Sequence, residues 1–94
     1  MYPSGLLQTI EKKKTVIGRK PDNDLVVEEP HVSHKHCIIL NNGNGFFIED
    51  LKSSNGTFIN GQRIKGRVRL RNNDVITFGG EFPAYRFRLL SGIV

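Results

Sequence analysis

The feature that most constrains this chain is its punctuation. Gly, Asn, Asp and Pro interrupt the apolar residues every several positions along the 94 residues. These residue types make turns and end regular elements. No stretch between them carries a 3.6-residue apolar period, so the sequence predicts no helix. What remains is a series of short apolar or alternating runs, each sized for one strand.

Candidate strands cover residues 6–10, 15–17, 25–27, 37–40, 46–51, 57–59, 62–64 and 75–78. Val68 and Leu70 alternate with Arg67, Arg69 and Arg71, and Tyr85, Phe87 and Leu89 alternate with Arg86 and Arg88. Alternation puts apolar side chains on one face of a strand and charged ones on the other. Asn60-Gly61 between two apolar runs is a strong hairpin signal, read here as a turn and nothing more. The Asn- and Gly-rich stretch at 41–45 supplies the positive-φ residues of another turn. About ten short strands at this spacing predict an all-β sandwich, one domain over residues 1–94. In such a fold, function sits in the loops at one end.

Composition removes several classes of function. Cys37 is the one cysteine, so the chain can form no internal disulfide and lacks the ligands for a zinc cluster. It reads as a small core residue in a reducing, intracellular setting. No apolar stretch approaches membrane-spanning length, and the N-terminus lacks the layout of a secretion signal. No nucleophile–base pair or Gly-rich nucleotide loop with a lysine is visible, so neither an enzyme nor a cofactor is expected. His31, His34 and His36 lie close together, but suitably spaced Asp and Cys partners for a metal are missing. The net charge of +5 favours an anionic partner without choosing one. Nucleic acid is disfavoured, because the basic residues are spread over several strands without interleaved aromatics.

Three loops hold polar residues that strand packing does not require. Gly18-Arg19 precedes Lys20-Pro21-Asp22-Asn23-Asp24. Val32-Ser33-His34-Lys35-His36 precedes the run at Cys37. The third loop is Asp50-Leu51-Lys52-Ser53-Ser54-Asn55-Gly56-Thr57. Together they offer a guanidinium, hydroxyls, an amide and imidazoles. A phosphorylated side chain brings nearly two negative charges and three acceptor oxygens, and a guanidinium meets them with a fork of donors.

In order and spacing these loops resemble the forkhead-associated (FHA) domain family. Its pattern stands here as Gly18-Arg19, Ser33-His34-Lys35-His36, Ser53-Ser54-Asn55-Gly56-Thr57 and Asn60-Gly61. The resemblance covers nearly the whole chain. It implies an eleven-stranded, two-sheet sandwich of the FHA/SMAD-like kind, with a phosphothreonine-containing peptide or protein lying across the loops at one end. By position, Arg19 and Ser33 would bind the phosphate and Ser54 would assist there. Asn55 would hold the peptide main chain, and His34 would add a contact, although relatives more often carry Arg, Lys or Asn after the Ser. Gly18, His36 and Gly56 would support the site. The resemblance also implies preference for phosphothreonine over phosphoserine, with Val32 as the one large apolar side chain near the extra methyl. The usual setting is a signalling, cell-cycle or DNA-damage assembly in the nucleus or cytoplasm, the isolated domain being monomeric.

Two alternatives stand beside this one. The arginines at 67, 69, 71, 86 and 88 read as solvated strand faces. Gathered on one sheet they would make a secondary docking or dimerisation surface. Nucleic-acid binding is the other alternative, suggested by charge.

Overall fold

The computed structural model describes residues 9–89. Among them the β-branched and aromatic runs form nine strands and no helix. The strands are β1 (Lys14–Gly18), β2 (Leu25–Val26), β3 (Cys37–Asn41), β4 (Phe46–Asp50), β5 (Thr57–Ile59), β6 (Gln62–Arg63), β7 (Arg67–Arg69), β8 (Val75–Phe78) and β9 (Glu81–Arg86). One sheet has the order β2-β1-β3-β4-β7 and the other β6-β5-β8-β9. Every pairing is antiparallel except β1 with β2. Asn60 and Gly61 both have positive φ (52° and 83°), as a tight two-residue hairpin between β5 and β6 requires.

Register places the core. Thr15 lies opposite Ile39, Ile39 opposite Ile48, and Ile48 opposite Val68, so one row of side chains lines the inner face of the larger sheet. Ile59, Ile76 and Phe78 answer from the smaller sheet, and Leu70 and Phe87 join from strand ends. Cys37 is buried in this cluster, and burial pushes its thiol up to about 12, which leaves it an inert packing group.

Several details differ from the sequence-based expectations. Nine strands are described where the resemblance implied eleven, and the candidate at 6–10 lies mostly outside the described residues. Thr9 and Ile10 belong to no strand. The last strand runs earlier than the alternation at 85–89 suggests. Phe87 is buried, and it extends the pairing by one residue through bonds to Asp74 and Asn73. Leu89 is exposed, its N–H bonded to the side chain of Asn72. The ladder ends before Leu89 reaches the core, so the alternation outlasts the strand.

The arginines do not share a face either. Arg67 and Arg69 stand on β7 of the larger sheet, and Arg86 stands on β9 of the smaller one. Arg67 pairs with Glu49, while Arg69 lies over the Phe47 ring and donates to the Asn44 carbonyl. Arg67 and Arg69 are therefore not gathered with Arg86 on one sheet, as the alternative of a basic docking face would ask.

Candidate functional site

The β1–β2, β2–β3 and β4–β5 connections meet at one end of the sandwich. Hydrogen bonds between residues far apart in the chain join them. The Arg19 N–H donates to the Ser33 carbonyl (2.9 Å), and the Ser54 N–H donates to Ser33 Oγ (3.0 Å). Asn55 Nδ2 donates to the His31 carbonyl (2.9 Å). Arg19, Ser33, Ser54 and Asn55 are thus brought together, and Arg19, Ser54 and Asn55 are exposed.

Arg19 is aimed from its stem. Its Nε donates to the Val32 carbonyl at 2.8 Å. That bond fixes the guanidinium plane and leaves both Nη groups free of hydrogen bonds among the described residues. Gly18, just before it, is required by close approach: a Cβ there would lie 2.7 Å from Asn23 Nδ2 and collide with the His34 carbonyl. Asn23 is itself buried, and its Nδ2 donates to the carbonyls of Lys20 (2.9 Å) and His34 (2.6 Å). It ties the Arg19 loop to the Ser33 loop. Sequence reasoning missed Asn23. The signal available was an Asn between two Asp residues in a loop, and that looks like any turn.

His36 is the internal brace. It is fully buried, with its ring edge-on to Phe78 at 5.1 Å. Nδ1 accepts the Ser33 N–H (3.0 Å), so in the neutral ring Nε2 carries the proton and donates to the Gly56 carbonyl (2.8 Å). The same carbonyl accepts the Gly79 N–H, which fastens the β8–β9 turn to the β4–β5 loop. Gly56 has a φ of +88°, a conformation that a side chain would strain.

The third loop is knotted around Asp50. Its carboxylate accepts the Ser53 N–H, the Ser53 hydroxyl and the Thr57 hydroxyl, and Ser53 Oγ in turn accepts the Gly56 N–H. Burial pushes the Asp50 carboxyl up, but these donors outweigh it and hold the group below its usual range. The knot decides which of two adjacent serines faces outward. Ser53 is buried in the knot and Ser54 is exposed. His34 is exposed beside Ser33. His31 Nε2 is buried and meets no partner among the described residues. Val32 faces the core at 1% exposure, so its side chain cannot wall a surface pocket and only its carbonyl serves the loops.

Burial depresses the basicity of His36 from its ordinary value of 6.5, against the opposing pull of the Gly56 bond and of Asp50. Protonating Nδ1 would also turn an acceptor into a donor facing the Ser33 N–H. The unfolded chain therefore binds more protons between the lowered folded value and 6.5, and stability falls as pH drops through that window. Asp24 and Asp50 are held below 3.8 and titrate outside it. We expect melting temperature to be level above about pH 7 and to fall below about pH 6.5, taking ligand affinity with it. A melting temperature that holds from neutral pH to pH 5 would show that His36 is not a neutral brace.

Fold and loops together define a class: a β-sandwich interaction module whose end loops present a braced arginine, two hydroxyls and an amide. The FHA domain profile matches residues 15–79, and the chain belongs to this family. The transcriptional regulatory protein EmbR of Mycobacterium tuberculosis is 38% identical over 73 residues, which cover 78% of this chain and 19% of EmbR. The chain thus spans about a fifth of that relative's length. The solved structure of M. tuberculosis EmbR in complex with a low affinity phosphopeptide superposes with a TM-score of 0.78. It is 32% identical and covers 90% of this chain and 22% of that one. A structure from an analysis of phosphothreonine-dependent FHA domain interactions gives a TM-score of 0.75 at 30% identity, covering 82% of this chain and 79% of that one.

Proposed function

We propose that this chain is a phosphothreonine-peptide-binding module, one domain that recruits phosphorylated partners in signalling and catalyses nothing. One observation carries the reading: Arg19, Ser33, Ser54 and Asn55 converge from three loops onto one end, each braced from behind. The Nη groups of Arg19 fork onto two phosphate oxygens. The Ser33 hydroxyl is already an acceptor from Ser54, so its own proton is free to turn toward the phosphate. Ser54 offers its hydroxyl beside it. Asn55 spends one amide proton on His31 and keeps Oδ1 and the other proton for a peptide backbone. His34 lies close enough to Ser33 to touch the peptide's flank. Gly18, His36 and Gly56 hold these groups in place without touching the ligand. The solved relative bound to a phosphopeptide supports this reading.

No helix of the described chain is long and apolar enough to cross a membrane. We place the domain inside the cell, in keeping with its similarity to the transcriptional regulatory protein EmbR and with the need for a kinase to supply phosphothreonine. The parent protein sets the compartment and the pathway.

The reading is tested with one peptide made in three forms. The phosphothreonine form should bind at least roughly a hundredfold more tightly than the unphosphorylated form, about 2.7 kcal/mol. Equal binding of those two forms ends the proposal. Phosphoserine should fall between them. With Val32 in the core, the methyl can gain only partial burial against loop backbone, and stiffness at χ1 adds a little. We expect phosphothreonine to lead phosphoserine by about 1 kcal/mol, roughly fivefold.

A further inference from the structure

Arg63 stands beside this site without having a part in it so far. The Asn60-Gly61 turn folds β6 back on β5 and sets Arg63 opposite Phe58. From there its side chain lies over Gly56. A Cβ added to Gly56 would fall 2.6 Å from Arg63 Nε, 2.9 Å from Cζ and 3.1 Å from Cδ. The guanidinium therefore rests on the backbone of the residue that follows Asn55. On the other side, a Cβ on Gly79 would lie 3.0 Å from Asn55 Cβ, and one on Gly80 would lie 3.9 Å from the Phe58 ring. Asn55, Gly56, Arg63, Phe58 and Gly79-Gly80 form a closed ring of neighbours.

Within that ring Arg63 is exposed, and among the described residues its guanidinium meets no acceptor and no carboxylate. Arg67 is paired with Glu49 and Arg69 with the Asn44 carbonyl, whereas Arg63 joins Arg19 in keeping its Nη groups unspent beside the site loops. Asp50, at the start of the β4–β5 loop, spends its carboxylate inward on Ser53 and Thr57. An arginine seated on backbone at its stem, with its fork unspent, loses little freedom when it takes a planar anion.

We propose that Arg63 selects phosphopeptides bearing an Asp or Glu side chain close to the phosphothreonine, on the Asn55 side of the site. The proposal rests on the phosphothreonine reading. It adds a second anchor, a carboxylate, to the phosphate held by Arg19. The preference is that of an exposed pair, on the order of 1 kcal/mol, or about fivefold.

The test is a fluorescence-polarisation scan with phosphothreonine peptides of Ala-rich sequence. Asp is moved through the three positions on each side, and Lys is placed at the best one. The wild-type domain should bind one Asp peptide about fivefold more tightly than the Ala parent. Arg63→Ala and Arg63→Gln should erase that gain and leave affinity for the parent within about twofold. Arg63→Glu should move the preference to the Lys peptide. No acidic gain anywhere in the scan, or a gain that survives both neutral variants, overturns the proposal. Failure of the phosphothreonine reading looks different, because the unphosphorylated parent would then bind as well as the phosphorylated one.

Discussion

Arg19→Ala should weaken phosphopeptide binding by more than a hundredfold and leave the fold standing. Among the described residues the two Nη groups of Arg19 spend no hydrogen bond within the protein, and they belong to an exposed side chain at the meeting point of three loops. Each charge-assisted bond to a phosphate oxygen is worth about 1.5–3 kcal/mol, so losing a forked pair costs about 3 kcal/mol or more. The folded state loses one bond, from Nε to the Val32 carbonyl, worth about 1 kcal/mol at a partly buried position. Arg19→Lys should restore part of the affinity, since a point charge replaces the fork. Calorimetric titration beside thermal melting separates the two effects. If melting collapses in Arg19→Ala, the side chain is structural and the phosphate must be held elsewhere.

His36→Ala should damage stability and binding together. The change leaves the part-buried Ser33 N–H without its acceptor and opens a void against Phe78. An orphaned donor costs about 1–3 kcal/mol, and truncation of a buried ring costs about as much again. A loss of about 3 kcal/mol is a large share of the stability of a small domain and should lower the melting temperature by about 15 °C or more. The Gly56 carbonyl keeps its bond from Gly79, so the β8–β9 turn should stay attached. What loosens is the seating of Ser33, and with it the Ser33–Ser54 bond. Binding measured at low temperature, where the variant is still folded, should therefore remain weak. His34→Ala is the control: exposed, with only its carbonyl used by the fold, it should alter melting by less than about 0.5 kcal/mol. A stable His36→Ala that binds normally would remove the brace from this account.

The loops that make the candidate site were legible in part. Arg19 after Gly18, and the Ser33 and Ser54-Asn55 loops, stood out because strand alternation does not ask for them. The Asp50 knot was not legible. Asp, Ser and Thr at 50, 53 and 57 look like generic turn chemistry until the chain folds them around one carboxylate. Arg63 was hidden because residues near a hairpin turn are commonly exposed and charged. Nothing local announces that its side chain crosses to another loop.

By itself the sequence determined the all-β class, the main strand positions and the Asn60-Gly61 hairpin, because period-two burial and positive-φ turns are written in neighbouring residues. Tertiary structure alone decided the rest. Val32 went to the core, not to a pocket wall; Ser53 turned inward and Ser54 outward; the arginines of β7 and β9 parted onto different sheets. Asn23 became the tie between two loops. The Ser53 turn is closed within residues 50–57, and the other outcomes are set by bonds or packing between distant residues. Ser33 and Ser54, 21 positions apart, meet only after the sandwich has brought their loops to the same end.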